Sequence, residues 1–447
     1  MSDYFAGAWD ALGMKRRFSH ARPDALARFR LARLRRLCTR LARLSPFFRE
    51  YFSRVDPRRM SLEQFDGLPL LDKRAMMDHF DEWNTAGLSG DELISFGREN
   101  DRARSYSRWF HGRYSVGLSS GTSGASGLAV YSRGEVVRNV LRFLARNGLP
   151  HGLPTHRILF ALRTSAAGFA EVNRFGWLLK HVDYRVPLPQ VVELINSLGL
   201  NILAGSPTYL VQLAALAPLI DHPLDVVVSY AEILEEPARA ALEAAFRTRV
   251  HQIYAGTEGY IATSCPLGTL HLNEDLLHIR LVPREDGPVE RCHLIVSDIN
   301  RLTQPIINYR LNDMVELDST PCPCGSSFRV VRGVLGRADD ALVFVRSDGT
   351  RSLLYADYVC RTIMAVGEAV KEYRVVQRSP AEVEVLLDIH PTADRDKTVD
   401  AVRGSLAELF SSHADEPVNI LVEVGQITPD PGRKLKRVQR TFEAGEG

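Results

Sequence analysis

The chain has 447 residues, 45% hydrophobic and 25% charged, and its 56 basic against 54 acidic residues leave a formal net charge of +2. That balance excludes a chain that grips nucleic acid or an anionic membrane by net charge, and no apolar run approaches the roughly 20 residues that span a bilayer. The length exceeds what one hydrophobic core serves, so two or more domains are expected.

The first residues carry early acids and lack a basic-then-apolar secretion pattern, which makes the cytoplasm the expected compartment. From 25 to 52, Leu26, Phe29, Leu31, Leu34, Leu37, Leu41 and Leu44 recur at helical spacing among arginines. The pattern predicts a packed helix with a solvated basic face. A helix lying on a membrane or on nucleic acid would look similar.

Residues 118–128 read Leu-Ser-Ser-Gly-Thr-Ser-Gly-Ala-Ser-Gly-Leu. Such a segment cannot pack a core, and its Gly and Ser disfavour helix. Its backbone N–H groups can turn toward an anion, with Gly121, Gly124 and Gly127 allowing close approach, which describes a phosphate cradle. It is not a Walker loop, because no Gly-Lys-Ser/Thr follows at the required spacing. A flexible linker has the same composition.

Further on, 157–162 reads as a strand, 191–198 as a helix, 201–204 as extended and 207–219 as a helix. Residues 225–230 then read as a buried strand, 235–246 as an amphipathic helix and 250–254 as a short strand. That alternation predicts an α/β domain with a largely parallel sheet, whose ligands sit beyond the carboxyl ends of the strands.

Six cysteines are present. In a reducing compartment a cluster of them points to metal or catalysis rather than disulfides. Cys322-Pro323-Cys324-Gly325 is a tight turn presenting two thiols, and Cys265 with His271 flanks another loop. Three sulfurs and one nitrogen make a closed tetrahedral, hence structural, Zn²⁺ site. The alternative is four inert buried residues; Cys292 and His293 read as core.

Five segments together resemble the adenylate-forming superfamily of acyl-CoA synthetases, luciferases and peptide-synthetase adenylation domains. They are the 119–127 loop, Tyr254-Ala255-Gly256-Thr257-Glu258, the run from Pro305 to Asp313, Gly336-Arg337-Ala338-Asp339-Asp340, and Gly432-Arg433-Lys434-Leu435-Lys436-Arg437. They occur in the family's order over about three quarters of the chain. Leu68-Pro69-Leu70-Leu71-Asp72-Lys73 resembles the entry segment of the phenylacetate–CoA ligase branch. Gly127 stands where the wider superfamily places a lysine, as is common in that branch.

The resemblance implies a large N-terminal ATP- and substrate-binding domain, residues 1–338, with parallel-rich sheets. A small mobile α+β lid follows at 339–447, hinged near Asp339. It implies that Ser119, Ser120, Gly121, Thr122, Ser123 and Gly124 hold the ATP phosphates. Residues 229–231 would contact adenine, Ala231 and Glu232 would bind the nucleotide, Tyr254 would flank the adenine or the substrate, and Ala255 and Gly256 would border the nucleotide. Thr257 would sit at the α-phosphate and Glu258 would carry Mg²⁺. Asp313 would bind the ribose hydroxyls and Arg337 would reach the nucleotide.

Lys434 is the expected adenylating lysine, with Lys436 the rival because the stretch is doubly basic. By resemblance the acid pocket is lined by 163–169, 204–207 and 230–232. Phe160, Phe169, Tyr209 and Tyr230 favour a small aromatic acid. The implied reaction forms acyl-AMP and pyrophosphate, then transfers the acyl group to CoA or a carrier protein. Alternatives are an amide-forming ligase, a diazotase using nitrite and an aryl amine, and a zinc-stapled nucleotide-binding scaffold without turnover. Asn312, where the family has glycine, hints at a specialised member. Relatives are often dimeric, so a homodimer is one expected state.

Overall fold

A computed structural model describes residues 13–103, 107–118, 127–146, 156–161, 172–174, 177–283, 290–337, 341–367, 369–428 and 436–442. Two compact units divide the chain. The first comprises Met1–Pro283, Leu294–Leu311 and Leu317–Arg332; the second comprises Arg284–His293, Asn312–Glu316 and Gly333–Gly447.

The arginine-rich segment folds as a helix, Pro23–Leu44, burying Leu26, Leu34, Leu37, Cys38 and Leu41. It ends earlier than its spacing predicts, because the residue before a proline is driven out of the helical region. Ser45 is extended (φ −116°), and its side chain accepts from the Phe48 amide to open a second helix, Pro46–Tyr51. Phe47 and Phe48 pack on the buried Trp83, whose Nε1 donates to the Pro305 carbonyl at 2.7 Å. Among the described residues no helix is long and apolar enough to cross a membrane.

Strands β1 (Tyr114–Leu118) and β2 (Leu128–Ser132) form an antiparallel hairpin. Next come β3 (His156–Ala161), β4 (Val172–Arg174), β5 (Trp177–Val182), β6 (Ile202–Gly205), β7 (Val226–Ser229) and β8 (Val250–Gly256). They lie side by side in the order β4-β5-β3-β6-β7-β8. The run from β5 to β8 is parallel, and β4 closes the edge antiparallel.

The helices Leu188–Leu198, Pro207–Ala214 and Glu236–Phe246 connect these strands. Their apolar sides join one core with Leu159, Leu203 and Val227 of the sheet. The 207–219 helix is shorter than expected: after Ala214 the chain makes only a turn of 3₁₀ helix at Ala217–Leu219.

The sheet continues with β9 (Gly259–Ser264), β10 (Leu270–Leu272), β11 (Leu277–Pro283), β12 (Arg291–Asp298), β13 (Tyr309–Asp318) and β14 (Val330–Arg337). The order onward from β8 is β9-β10-β14-β13-β12-β11, giving twelve strands. The pairings β8–β9, β9–β10 and β10–β14 are antiparallel. The fold is thus mixed α/β, parallel in one half of its large sheet.

The second unit has its own core. The hairpin β15 (Leu342–Val345) and β16 (Arg351–Leu354) lies with a four-stranded sheet of β17 (Val370–Ser379), β18 (Glu382–Ile389), β19 (Asn419–Val424) and β20 (Val438–Arg440). The order is β19-β18-β17-β20. The helices Ala356–Met364 and Arg395–Ser411 add Val359, Ile363, Val402, Leu406 and Phe410 to one apolar cluster with Phe344, Val375 and Val385. Truncating Phe410, 1% exposed, leaves a cavity that rigid neighbours fill poorly. Phe410→Ala should cost about 3–5 kcal/mol, read as a lower urea midpoint for this unit's unfolding.

Candidate functional site

Parallel strands end on the same edge of a sheet, and among the described residues that edge carries Ala231, Glu232 and the run from Tyr254 to Glu258. Ala231 and Glu232 follow β7, while Tyr254, Ala255 and Gly256 end the adjacent β8, with Thr257 and Glu258 in the turn to β9. Ala231 has φ 68°, a left-handed conformation unusual for a residue with a Cβ. The Glu232 carboxylate accepts from the Thr208 hydroxyl at 2.7 Å and the Thr208 amide at 3.3 Å. It therefore ties the end of β7 to the first turn of the Pro207–Ala214 helix.

Thr257 and Glu258 are half-buried, and Ala255 and Gly256 are exposed. The Glu258 carboxylate folds back over Gly256, where an added Cβ would lie 2.5 Å from Oε2. Glycine at 256 is what lets the carboxylate lie there. Tyr309 is close enough for the Glu258 and Asp72 charges to raise its pKa further than burial alone does.

The 119–124 loop, 163–169, Asp339 and Lys434 lie outside the described residues. Asp313 and Arg337 belong to the second unit, on the neighbouring strands β13 and β14, with Arg337 Nε 3.8 Å from Asp313 Oδ1. Lys436 is half-buried beside the start of β20. The next residue, Arg437, grips Glu372 with two parallel bonds of 2.7 and 2.8 Å.

Cys265, His271, Cys322 and Cys324 do come together: their ligand atoms all lie within 4.8 Å of one another. Cys265 Sγ is 3.9 Å from Cys322 Sγ, and Cys324 Sγ is 3.5 Å from His271 Nε2. Ligand bonds of about 2.0–2.3 Å at tetrahedral angles give edges close to these separations. His271 Nδ1 is 2.9 Å from the Phe328 carbonyl. That bond assigns the proton to Nδ1 and leaves the Nε2 lone pair facing the sulfurs. The four residues fit a zinc ion. Cys292 is buried in β12, as expected of core.

A buried polar network beside the motif edge was not legible in the sequence. Glu135, 3% exposed, accepts from the Ser132 amide and hydroxyl, the Leu302 and Thr303 amides and the Thr303 hydroxyl. Gln304, fully buried, accepts from the Val130 amide at 2.8 Å and donates to the Leu128 carbonyl at 2.9 Å. The only hint in sequence is a polar stretch, Asn300 to Gln304, ahead of an apolar one.

Burial raises the Glu135 pKa, but the bonds from Thr303, Ser132 and Leu302 outweigh it and hold the carboxyl below its ordinary value. Its stabilisation is therefore complete above the unfolded carboxyl pKa of about 4.3 and is lost as pH falls through the lower folded value. Glu135→Gln should lower the urea midpoint at neutral pH. The gap to the parent protein should narrow in acid, below about pH 4.

No family model matches the chain. It is 23% identical to phenylacetate–coenzyme A ligase from Thermus thermophilus, over 91% of this chain and 94% of that one. Among solved structures it resembles 2-hydroxyisobutyryl-CoA ligase in the postadenylation state with 2-HIB-AMP, with TM-score 0.71 and 14% identity over 96% of this chain and 92% of that one. It also resembles an open conformation of that ligase with 2-HIB-AMP and CoA, with TM-score 0.59 and 15% identity over 96% and 94%. The chain is thus similar to phenylacetate–coenzyme A ligase along nearly its whole length and shares the fold of 2-hydroxyisobutyryl-CoA ligase.

Proposed function

We propose that the protein is an ATP-dependent, AMP-forming ligase that activates a carboxylate, a small aromatic one, and transfers it to the thiol of CoA. The observation that carries this is the Gly256-Thr257-Glu258 turn at the carboxyl end of β8, in a chain homologous to an acid–CoA ligase along nearly its whole length. In the first half-reaction a carboxylate oxygen bonds to the α-phosphorus of ATP, and the bond to the β-phosphate breaks as pyrophosphate leaves. In the second, the thiol sulfur bonds to the acyl carbon, its proton passes to solvent, and AMP departs with the electron pair of the carbon–oxygen bond.

Glu258 would hold Mg²⁺, which when bound neutralises phosphate charge. Ser119, Ser120, Thr122 and Ser123 and the amides around Gly121 and Gly124 would hold the phosphates. Asp313 and Arg337 would bind the ribose side of the nucleotide, and Ala231 and Glu232 would border adenine. We assign the nucleotide- and acid-binding role to residues 1–338 and a mobile lid to 339–447. Lys434 would place its ammonium between the attacking carboxylate and the α-phosphate, stabilising together two anions that repel each other.

The test is pyrophosphate release from Mg²⁺-ATP across a panel of aryl and alkyl acids, with and without CoA. AMP formed with an aryl acid, and a thioester formed only with CoA, are expected; no nucleotide turnover with any acid overturns the reading. Lys434→Ala should slow adenylation by about 10²–10³-fold while ATP affinity stays within about twofold. If Lys436→Ala has that effect instead, the adenylating lysine is Lys436.

Cys265, His271, Cys322 and Cys324 would hold Zn²⁺ as a structural clamp, since four protein ligands leave no position for water. One zinc per chain is expected by elemental analysis. A strong chelator should lower the melting temperature by several degrees, as should Cys322→Ser, whereas Cys292→Ser should leave zinc content unchanged.

A further inference from the structure

Arg301 is 2% exposed and sits in the short loop between β12 and β13. A guanidinium buried that deeply is costly unless its surroundings pair with it. Here three groups do. Nη1 donates to the Thr257 carbonyl, Nη2 donates to Gln304 Oε1 at 2.5 Å, and Cζ lies 4.2 Å from the centre of the Tyr131 ring. These groups belong to different parts of the first unit. Thr257 is in the turn after β8; Tyr131 is in β2, the strand that follows the Ser119–Gly124 run in the chain; Gln304 holds β2 through the Val130 amide and the Leu128 carbonyl.

The single guanidinium thus joins the turn carrying Thr257 and Glu258 to β2. Glu135 holds the same short loop from the other side of the hairpin, through the Leu302 and Thr303 amides and through Ser132. Arg301 is held at Nη1, at Nη2 and on one face of its plane, while its Nε is buried without a hydrogen-bond partner.

We infer that Arg301 is a positioning residue for the Mg²⁺-nucleotide, fixing the Thr257–Glu258 turn against β2. The inference rests on the nucleotide role proposed above for Thr257 and Glu258. It does not follow from the motifs, since Arg301 lies outside all five. Arg301 touches no reacting atom in this account. It acts through the Thr257 backbone and through β2, so its loss should be felt wherever ATP phosphates and Glu258 must be held together, and not where the acid binds. A displacement of an ångström between such segments can cost up to about a hundredfold in rate.

The test compares Arg301→Lys and Arg301→Ala with the parent protein. Lysine keeps the charge but puts its donors on a single nitrogen, so this variant is the one that keeps the fold; it cannot reach the Thr257 carbonyl and Gln304 Oε1 in the forked geometry. Two readouts are taken: the dissociation constant for Mg²⁺-ATP by calorimetry, which needs no turnover, and the steady-state constants for pyrophosphate release. Arg301→Lys is expected to weaken Mg²⁺-ATP binding and raise its KM by about tenfold, leaving the KM for the acid within about twofold. Millimolar guanidinium or methylguanidinium should restore Arg301→Ala in part while leaving the parent unaffected.

A folded Arg301→Lys protein with parent-like Mg²⁺-ATP affinity overturns the inference, as does an equal loss of affinity for nucleotide and acid, which marks a general structural role. A parent protein that binds Mg²⁺-ATP but turns over no acid overturns the ligase reading alone, and the binding comparison still decides the role of Arg301. Failure of the parent to bind Mg²⁺-ATP overturns both.

Discussion

A backbone N–H or C=O that loses water must be paired, and the largely buried loop at 299–304 meets that need in part with side chains from distant elements. Some of its polar groups pair with backbone, as the Ile299 amide does with the Leu276 carbonyl, and others are taken up by side chains. Glu135 accepts the Leu302 and Thr303 amides, while the Gln304 amide group pairs with both directions of β2. Leaving any one of these groups unpaired would cost roughly 1–3 kcal/mol. Because the acceptors and donors come from the helix Arg133–Arg146 and the hairpin, satisfying the loop also fixes the hairpin against the sheet. The geometry around Thr257 and Glu258 depends on that solution.

The sheet supplies the other half of the arrangement. Parallel strands need crossover connections, so their loops collect at one edge, and short strands such as β6 and β7 are buried end to end. Two features at that edge are set by backbone rather than by side-chain chemistry: the left-handed Ala231 and the glycine under the Glu258 carboxylate. Away from the edge, the Cys265–His271 loop and the Cys322–Cys324 turn meet although they lie far apart in the chain. Pairing of β10 with both β9 and β14 is what brings them together.

The second unit is stabilised in a different manner. Its core is a conventional sheet-on-helix cluster, and its last strand is short, three residues pairing parallel to β17. A short edge strand is weakly held by its ladder alone. The bidentate Arg437–Glu372 pair and the Arg440 bond to the Ala341 carbonyl at 3.1 Å reinforce it on both sides. The basic segment that contains Lys434 and Lys436 therefore leads directly into an anchored strand.

Much was legible in the residues themselves. The alternation of apolar strands and amphipathic helices from 156 to 256 specified the α/β half, because burial has a period that the chain must follow. The order of the five motifs carried the family resemblance, and the four metal-type ligands could be picked out because thiol and imidazole spacing is chemistry written locally. Proline at 46 was legible too, and should have ended the first helix where it does end.

What the sequence could not contain is which distant segments share an edge. Glu135, Arg301 and Gln304 look like ordinary polar residues in a polar stretch, and nothing local distinguishes them from solvated ones. Their burial follows from strand order, with β12 and β13 added to a sheet whose far half is parallel. Composition and periodicity determined the elements and the chemistry available to them. Only the tertiary structure decided that a loop before Pro305 borrows hydrogen bonds from a hairpin and the helix after it, more than a hundred residues earlier, because pairing buried polar groups is a condition on the folded chain and on no shorter part of it.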